Sequence, residues 1–563
     1  MKHEVLFLEI NSSYSHSMLS YGLLRSFTSR MLPEWHWRHL DATLKSDEDK
    51  LLKQIIEHAP EVIAATGYLF NIEYLCRILE RCAKEIPDTM IFLGGPEFLG
   101  CNMNFLMDHQ FISGVIRGDE SSFYLLLRNL HRRENWSDIP GLCYMQDGTC
   151  SDNGIALYPG RLDELPSPYA AGYIHSGKPF YQIETSRGCI GKCTFCTSAN
   201  SEGVAYYSPE RIKSDLECIR QSGIREMRLI DRTFNDDSKR AIGLLKMFYT
   251  DFRDFKFHLE LNPAMLTEPL LACLRQAPQG MLHIETGIQT LNAASLKAIR
   301  RPASRSKSLT GLKQLVNCRN FAIHADLIAG LPGQSFDDVL SDVEELINLG
   351  PEEIQLEKLK FLPGTVMRET PPPGTVFNAN PPYEVISTQE INEAEFITVN
   401  RLSIVLDAWY NASQLNSPFV LACRRIDGFI RKFIIFLENE KYFSGQGREA
   451  LERRFELLEK FIGNDALLSQ HLRFCRLAIG LPVSPEHLLT IKGETFRPQE
   501  NTLSIIWRKD IEYRIGKYFQ VDFDYNISDL WLNPGADVIS GKKTYLFGLY
   551  YGRKPAEISE IIY

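Results

Sequence analysis

The stretch Thr185-Ser-Arg-Gly-Cys-Ile-Gly-Lys-Cys-Thr-Phe-Cys196 holds three cysteines, Cys189, Cys193 and Cys196, in the spacing C-x3-C-x2-C. Three thiolates on one short loop can occupy three corners of a 4Fe–4S cube, because soft sulfur ligands suit iron–sulfur clusters. The fourth iron is then left without a protein ligand, open for binding and reducing a substrate. A structural zinc would instead want four ligands closing a tetrahedron. No second C-x2-C pair exists in the chain, and the first histidine after Cys196 is His258. A catalytic zinc with an open position is the remaining metal alternative, for which three closely spaced cysteines are an unusual ligand set.

Working outward, apolar runs alternate with helical patterns on the C-terminal side of this loop. Candidate strands cover 180–184, 227–231, 257–261, 282–288, 323–329 and 354–361, with helices such as 209–222 and 337–349 between them. Six such repeats suit a (β/α)6 partial TIM-type barrel over 179–370. Toward the N-terminus, strands at 5–10, 62–67, 90–94 and 114–118 alternate with helices at 17–30, 47–58, 74–84 and 121–131. That order predicts a Rossmann-like, doubly wound parallel sheet over 1–135, joined to the barrel by a linker at 136–178. Several of its strands end in small or polar residues: Asn11–Ser13, Thr66–Gly67, Gly94–Pro96 and Gly118–Asp119. Ligands of open α/β sheets bind at such carboxyl ends, where a bare backbone comes close. A single glycine of this kind more often just closes a turn, and even four together do not identify the ligand.

Prolines at 371–373 and 381–382 mark the next boundary, and 371–563 reads as a mixed α+β region. Leu451, Phe455, Leu458 and Ile462 recur at helical spacing, which predicts a helix over 448–462. The aromatic alternations at 519–526 and 543–552 read as strands. A chain of 563 residues suggests roughly three or four units. Its 62 Lys+Arg against 71 Asp+Glu give a net charge of −9, so no basic field exists to hold nucleic acid or an anionic membrane. With 44% apolar and 24% charged residues, it is neither a disordered chain nor a fibre. Thirteen cysteines are too few for a disulfide scaffold. There is no secretory apolar region, and no apolar run of the about 18 residues that cross a bilayer. A soluble, cytoplasmic protein without a membrane partner is the expectation.

The cysteine spacing, with Phe195 just before the last cysteine, resembles the radical S-adenosylmethionine (SAM) signature. The similarity runs over 181–366 and includes HLELNP at 258–263, IETGIQT at 284–290, LKAIRR at 296–301, HADLIAGLPGQ at 324–334 and LKFLPGT at 359–365. The wording is most similar to the oxygen-independent coproporphyrinogen oxidase branch. The resemblance implies a 4Fe–4S cluster on Cys189, Cys193 and Cys196, with SAM on the open iron. Reductive cleavage of SAM would yield a hydrogen-abstracting 5′-deoxyadenosyl radical. It further implies that Glu260, Gln289, Arg301 and Asp326 contact SAM, with Gly330 and Gly333 admitting the adenine and Phe195 among the cofactor-binding residues. For Glu260 and Asp326 alone, polar ends of barrel strands are an equal explanation. Gln334 departs from the pattern, which more often has an acidic residue there.

The first domain resembles the cobalamin-binding half of cobalamin-dependent radical SAM proteins, through ATGYLFN at 65–71, FLGGPE at 92–97, VIRGDESS at 115–122 and LDELPSP at 162–168. This implies cobalamin contacts at Thr66, Gly67, Gly94, Gly95 and Pro96. The D-x-H-x-x-G motif that supplies a histidine ligand to cobalt is absent, and adjacent Asp108–His109 do not fit it, so an open or water-bound lower face is expected. His16, on the loop after the first strand, is more simply a turn residue. Residues 371–563 resemble only an uncharacterised extension.

Together the resemblances imply an enzyme that methylates an unactivated carbon of a small-molecule or peptide substrate. An external one-electron reductant of flavodoxin or ferredoxin type would serve it. The same cofactors also support ring contraction or cyclisation. A methylthiotransferase acting on tRNA would carry a second cluster on N-terminal cysteines, a pattern that Cys76, Cys82, Cys101, Cys143 and Cys150 lack. A plain coproporphyrinogen oxidase would have no such domain in front. From a different class, a cobalamin- or cluster-binding sensor would dock a partner through its C-terminal strands.

Overall fold

The strand β1 (Glu4–Asn11) is buried at every position, as a central strand covered on both faces must be. In the computed structural model, Val5 and Phe7 pack with Tyr21, Phe123 and Trp136, while Leu6, Leu8 and Ile10 pack with Ile55, Leu75 and Ile78. The structure describes residues 3–156, 160–173, 177–445, 449–481, 489–491, 502–507, 515–550 and 554–561. The N-terminal elements follow as α1 (Leu19–Met31), β2 (His36–Thr43), α2 (Glu48–His58), β3 (Val62–Thr66), α3 (Ile72–Glu85), β4 (Met90–Gly94), α4 (Met103–Asp108), β5 (Gly114–Ile116) and α5 (Glu120–Arg128). The strands run parallel in the order β2-β1-β3-β4-β5. Helices α1 and α5 contribute to one face and α2 and α3 to the other. The sheet is thus doubly wound in flavodoxin order, and its direction of winding reverses between β1 and β3.

Two features of this sheet differ from the sequence expectation. β2 is a half-exposed edge strand whose His36, Arg38, His39 and Asp41 hide any apolar alternation. The segment read as a connection contains β6 (Leu142–Gln146) and β7 (Thr149–Asp152), which add antiparallel to β5. Asp147 and Gly148 turn this hairpin at φ 50° and 77°, the two left-handed positions that an Asp-Gly pair serves in a tight hairpin.

Next come β8 (Tyr181–Ile183), β9 (Ser186–Gly188), β10 (Val204–Tyr206), β11 (Glu226–Leu229), β12 (Lys256–Leu261) and β13 (Leu282–Gln289). β8, β11, β12 and β13 are parallel neighbours in that order, and β9 pairs antiparallel with β10. β12 and β13 alternate cleanly: Leu259, Leu261, Ile284 and Ile288 are buried, while His258, Glu260, His283, Glu285, Gly287 and Gln289 face the other side half-exposed. Register sets His258 beside His283 and Glu260 beside Glu285, and His258 Nε2 lies 2.8 Å from Glu285 Oε2. A sheet face of this composition is built for polar chemistry rather than for packing.

The chain divides into two units, one of residues 1–323, 330–335 and 358–392, the other of 324–329, 336–357 and 393–563. The second holds most of β14 (Ala322–Ala329), β15 (Glu353–Lys358), five helices between 393 and 478, and a five-stranded antiparallel sheet. The predicted helix is found at Leu451–Ile462; Arg448 lies outside the described residues, as do Tyr551 and Gly552 of the last aromatic stretch. A π-helical turn at Leu406–Tyr410 ends at Asn411, whose side chain accepts from Ile354 N at 2.9 Å and donates to Ile354 O at 3.1 Å, closing the strand like a further residue of the sheet. Among the described residues, no helix is long and apolar enough to cross a membrane.

His471 is fully buried in this unit, its Nε2 2.7 Å from Ser417 Oγ, which also donates to Leu530 O. Burial pushes its pKa down from 6.5 to about 3, so the folded state holds the imidazole neutral. An unfolded chain takes up a proton near pH 6.5. Stability from this group is therefore complete above that pH and falls by about 1.4 kcal/mol per unit as pH drops toward 3. Urea unfolding of His471→Gln, followed from pH 7 to 4, is expected to lose that slope; an unchanged slope refutes the assignment.

Candidate functional site

The cysteine loop grows from a backbone hydrogen-bonded at both ends. Asp231, 1% exposed, accepts from Thr185 N at 2.8 Å and Ser186 N at 3.1 Å, and Thr185 Oγ1 donates to its other oxygen. β9 then pairs with β10, and Cys189 N donates to Ser201 Oγ at 2.9 Å. Farther along, Thr194 N bonds Ile299 O at 3.0 Å and Thr194 O accepts from Met367 N at 2.9 Å. A methyl group built on Gly191 would stand 3.4 Å from Cys189 Sγ and 3.7 Å from Cys193 Sγ, so these two sulfurs converge on one bare glycine. Gly191 N donates to Cys189 Sγ at 3.3 Å, and Arg301 Nη1 approaches Cys193 Sγ at 3.8 Å. All thirteen cysteines are free thiols. Burial raises the Cys193 pKa while Arg301 opposes the rise. Thiols with amide and guanidinium donors aimed at sulfur fit a thiolate-held iron cluster, since such donors favour S⁻ and tune cluster potential. Cys196 and Phe195 are half-buried on the same turn.

Arg301 and Gln289 meet here as well. Arg301 Nη2 donates to Gly287 O at 2.5 Å. A Cβ at Gly287 would lie 2.3 Å from Gln289 Nε2 and 3.1 Å from Arg301 Nη2. Gln289 ends β13 at φ 68°, a left-handed conformation that a non-glycine residue adopts at some cost and that often marks a functional site. Glu260 is half-buried on β12, and its carbonyl accepts from Phe234 N at 2.8 Å. Asp326 belongs to the second unit, with its carboxylate 3.2 Å from His324 Nε2. Gly330 opens its loop at φ 95°. Gln334, the residue that departs from the pattern, closes that loop: its Oε1 accepts from Gly330 N at 2.9 Å and Leu331 N at 3.2 Å, and its Nε2 donates to Thr290 Oγ1 at 3.2 Å. A carboxylate could accept both amides but could not donate to Thr290.

A cavity of about 400 Å³ opens at the carboxyl ends of β3, β4 and β5, walled by Phe7, Ala64, Phe92 and Phe123. Thr66, Gly94, Gly95 and Pro96 line it, and Thr66 Oγ1 lies 2.9 Å from Ser20 Oγ. Gly95 at φ 107° would bring a Cβ to 2.7 Å from Gly67 O. These glycines let the two strand-end loops touch. His16 sits 2.7 Å from Ser13 Oγ and edge-on to Phe180; it is not among the lining residues.

Asp119, read from the sequence as a polar strand-end residue, lines the cavity together with Glu120 and Arg187, which the sequence did not single out. Asp119 Oδ1 caps α5 by accepting from Ser121 N at 2.9 Å, while its Oδ2 is buried with no partner among the described residues. An orphaned acceptor on a residue that lines a cavity fits a ligand that carries amide or hydroxyl donors. The signal for the first two lay in VIRGDESS, and for Arg187 in its place two residues before Cys189. A second cavity of about 250 Å³ is bordered by Ser186, Arg187, Gly188, Thr197 and Ser201.

Comparison with known proteins places this site in context. Residues 183–346 match the family described as the radical SAM superfamily, and 374–491 match a protein of unknown function, DUF4080. An uncharacterized methyltransferase of Pyrococcus horikoshii is 24% identical over 336 residues, which is 58% of this chain and 71% of the relative. The cobalamin-dependent radical SAM methyltransferase TokK of Streptomyces tokunonensis is 22% identical over 382 residues, 64% of this chain and 55% of its own; the chain thus spans little more than half of that relative's length. Among solved structures, the radical SAM methyltransferase TsrM from Kitasatospora setae, with cobalamin and a [4Fe-4S] cluster bound, superposes with a TM-score of 0.54 at 17% identity, over 70% of this chain and 81% of TsrM. That likeness is one of fold.

Proposed function

We propose that this chain, a radical SAM protein with the fold of TsrM, is an enzyme that methylates an unactivated carbon of a small-molecule or peptide substrate with a 4Fe–4S cluster, SAM and cobalamin. The observation that carries the reading is the meeting of the Cys189 and Cys193 sulfurs with the Arg301 guanidinium and the Gln289 amide around two bare glycines. When bound, the cofactors supply a radical able to take hydrogen from carbon and a methyl group to replace it. The side chains hold and orient them. Cys189, Cys193 and Cys196 ligate iron. Arg301 suits the carboxylate of SAM, as a charged fork suits any carboxylate. Gln289 and Glu260 offer acceptors to its ammonium and ribose hydroxyls, and Gly330 lets the backbone approach the adenine.

Residues 1–135 take the cobalamin on this reading, with Thr66, Gly67, Gly94, Gly95, Pro96 and the orphaned Asp119 oxygen as its partners. A cavity of about 400 Å³ would take one part of the cofactor rather than its whole volume. Residues 136–178, whose β6 and β7 extend the N-terminal sheet, lead into a (β/α)6 radical barrel at 179–370, and 371–563 selects the substrate. A net charge of −9 supports a substrate other than nucleic acid.

An anaerobic, reduced and reconstituted sample given SAM is expected to release 5′-deoxyadenosine, and one fed hydroxocobalamin to keep corrin absorbance after desalting. An intact cluster spectrum without 5′-deoxyadenosine overturns the enzyme assignment, and lost corrin absorbance overturns the cobalamin. Arg301→Gln is expected to slow SAM cleavage about ten- to hundredfold, the value of a charge-assisted hydrogen bond, at unchanged iron content. An unaltered rate would remove Arg301 from the SAM site.

A further inference from the structure

Arg187 lines both the strand-end cavity and the smaller cavity against the cysteine loop. It sits in β9 with Ala205 of β10 opposite. Its guanidinium grips Glu120 bidentately, Nη1 to Oε2 at 2.9 Å and Nη2 to Oε1 at 2.7 Å, and Nε donates to Glu184 Oε1 at 2.8 Å. Glu120 is the first residue of α5, 5% exposed, and itself lines the strand-end cavity. Tyr207 donates its hydroxyl to Glu184 Oε2 at 3.2 Å.

The backbone around Arg187 is hydrogen-bonded on both sides. Asp231 fixes the amides of Thr185 and Ser186 on one side, and Ser201 fixes that of Cys189 on the other. The first turn of α5 is thus joined to Cys189 by one ion pair and two residues of strand. Three of the five guanidinium N–H groups are used, which leaves one on each terminal nitrogen for a carbonyl entering either cavity. A bidentate fork of this kind fixes angle as well as distance, which a point charge would not.

We propose that Arg187 is a positioning residue: by joining Glu120 in the wall of the strand-end cavity to the cysteine loop, it sets the spacing between the corrin and the iron cluster. The inference rests on the cofactor assignment under Proposed function. The simpler account is a buried strut that only stabilises the fold, and the test separates the two.

Wild-type, Arg187→Lys, Arg187→Gln and Glu120→Gln chains are reconstituted anaerobically with iron, sulfide and hydroxocobalamin. Iron per chain, thermal midpoint, hydroxocobalamin affinity by absorbance titration and the cobalt–cluster distance by pulsed EPR of the reduced protein are then measured. The two Gln variants are expected to keep wild-type iron content while binding hydroxocobalamin about tenfold more weakly. At saturating corrin they give a broadened distance distribution. Arg187→Lys, which keeps the charge but loses the fork, falls between. Wild-type affinity and distances in the Gln variants overturn the proposal alone. Parallel loss of iron, thermal midpoint and corrin in all three variants makes the pair a strut and also overturns it. A wild-type chain that retains no corrin overturns the cofactor assignment and this inference with it.

Discussion

Cys193→Ala is expected to abolish cluster assembly: iron per chain after anaerobic reconstitution drops to background, the charge-transfer absorbance is missing, and no 5′-deoxyadenosine forms from SAM. Cys193 is the buried member of the three, 5% exposed, and it faces the Arg301 guanidinium at 3.8 Å. Two thiolates cannot hold a cube that has only three protein corners to begin with. Removing one sulfur atom costs the apo fold about 1 kcal/mol of packing, so the protein should stay folded while it loses its iron. Cys82→Ala is the control. Cys82 is equally buried, with its thiol pushed up to about 12 by burial, and it lies on the sequestered face of α3. Full iron in Cys193→Ala would remove it from the ligand set, and equal losses in both variants would mean general instability.

Much of this arrangement was legible because local chemistry and global fold agree. β3 and β4 are short apolar runs closed by Thr66 and Gly94, and α2 begins where the Asp47 side chain accepts from Asp49 N and Lys50 N at 3.0 Å. β2 escaped because an edge strand needs only one buried side. The β6–β7 hairpin was signalled by Asp147–Gly148, whose meaning depends on strands too short to stand out by themselves. The cysteine loop was legible from spacing alone. Gln289 and Arg301 came only through family resemblance, since nothing local reveals that both reach the bare Cα of Gly287. Arg187 and Glu120 are 67 residues apart, and a long-range pair leaves no periodic trace. Gln334 read as an anomaly because the sequence does not show that its amide must both accept and donate. In 371–563 helices and strands were legible, but aromatic packing such as Trp409 against Phe433 reports a core and no chemistry.

Gly188→Ala should be nearly as damaging as loss of a ligand, although residue 188 carries no ligand atom. Gly188 holds φ 97°, and a Cβ there would stand 2.0 Å from the carbonyl oxygen of Gly203 and 3.2 Å from Ser201 Cβ. Backbone atoms cannot swing aside as a flexible side chain can, so β9 and β10 must separate or residue 188 must change conformation. Either movement costs about 3 kcal/mol or more, combining the strain of a left-handed alanine with a lost strand pairing. The damage lands on the site because Ser201, whose hydroxyl accepts from Cys189 N at 2.9 Å, lies on the segment that would be pushed away. Cys189 then loses its fixed position relative to Cys193, and the preorganised thiolate set becomes a floppy one. Reconstituted iron is expected to fall at least about tenfold, the equivalent of 1.4 kcal/mol, while the doubly wound sheet keeps its far-ultraviolet signature. Gly203→Ala serves as the comparison, since its Cβ would meet nothing within 4 Å and only its own φ of 141° resists the change. Wild-type iron in Gly188→Ala would show that the cysteine loop does not depend on the β9–β10 pairing for its shape.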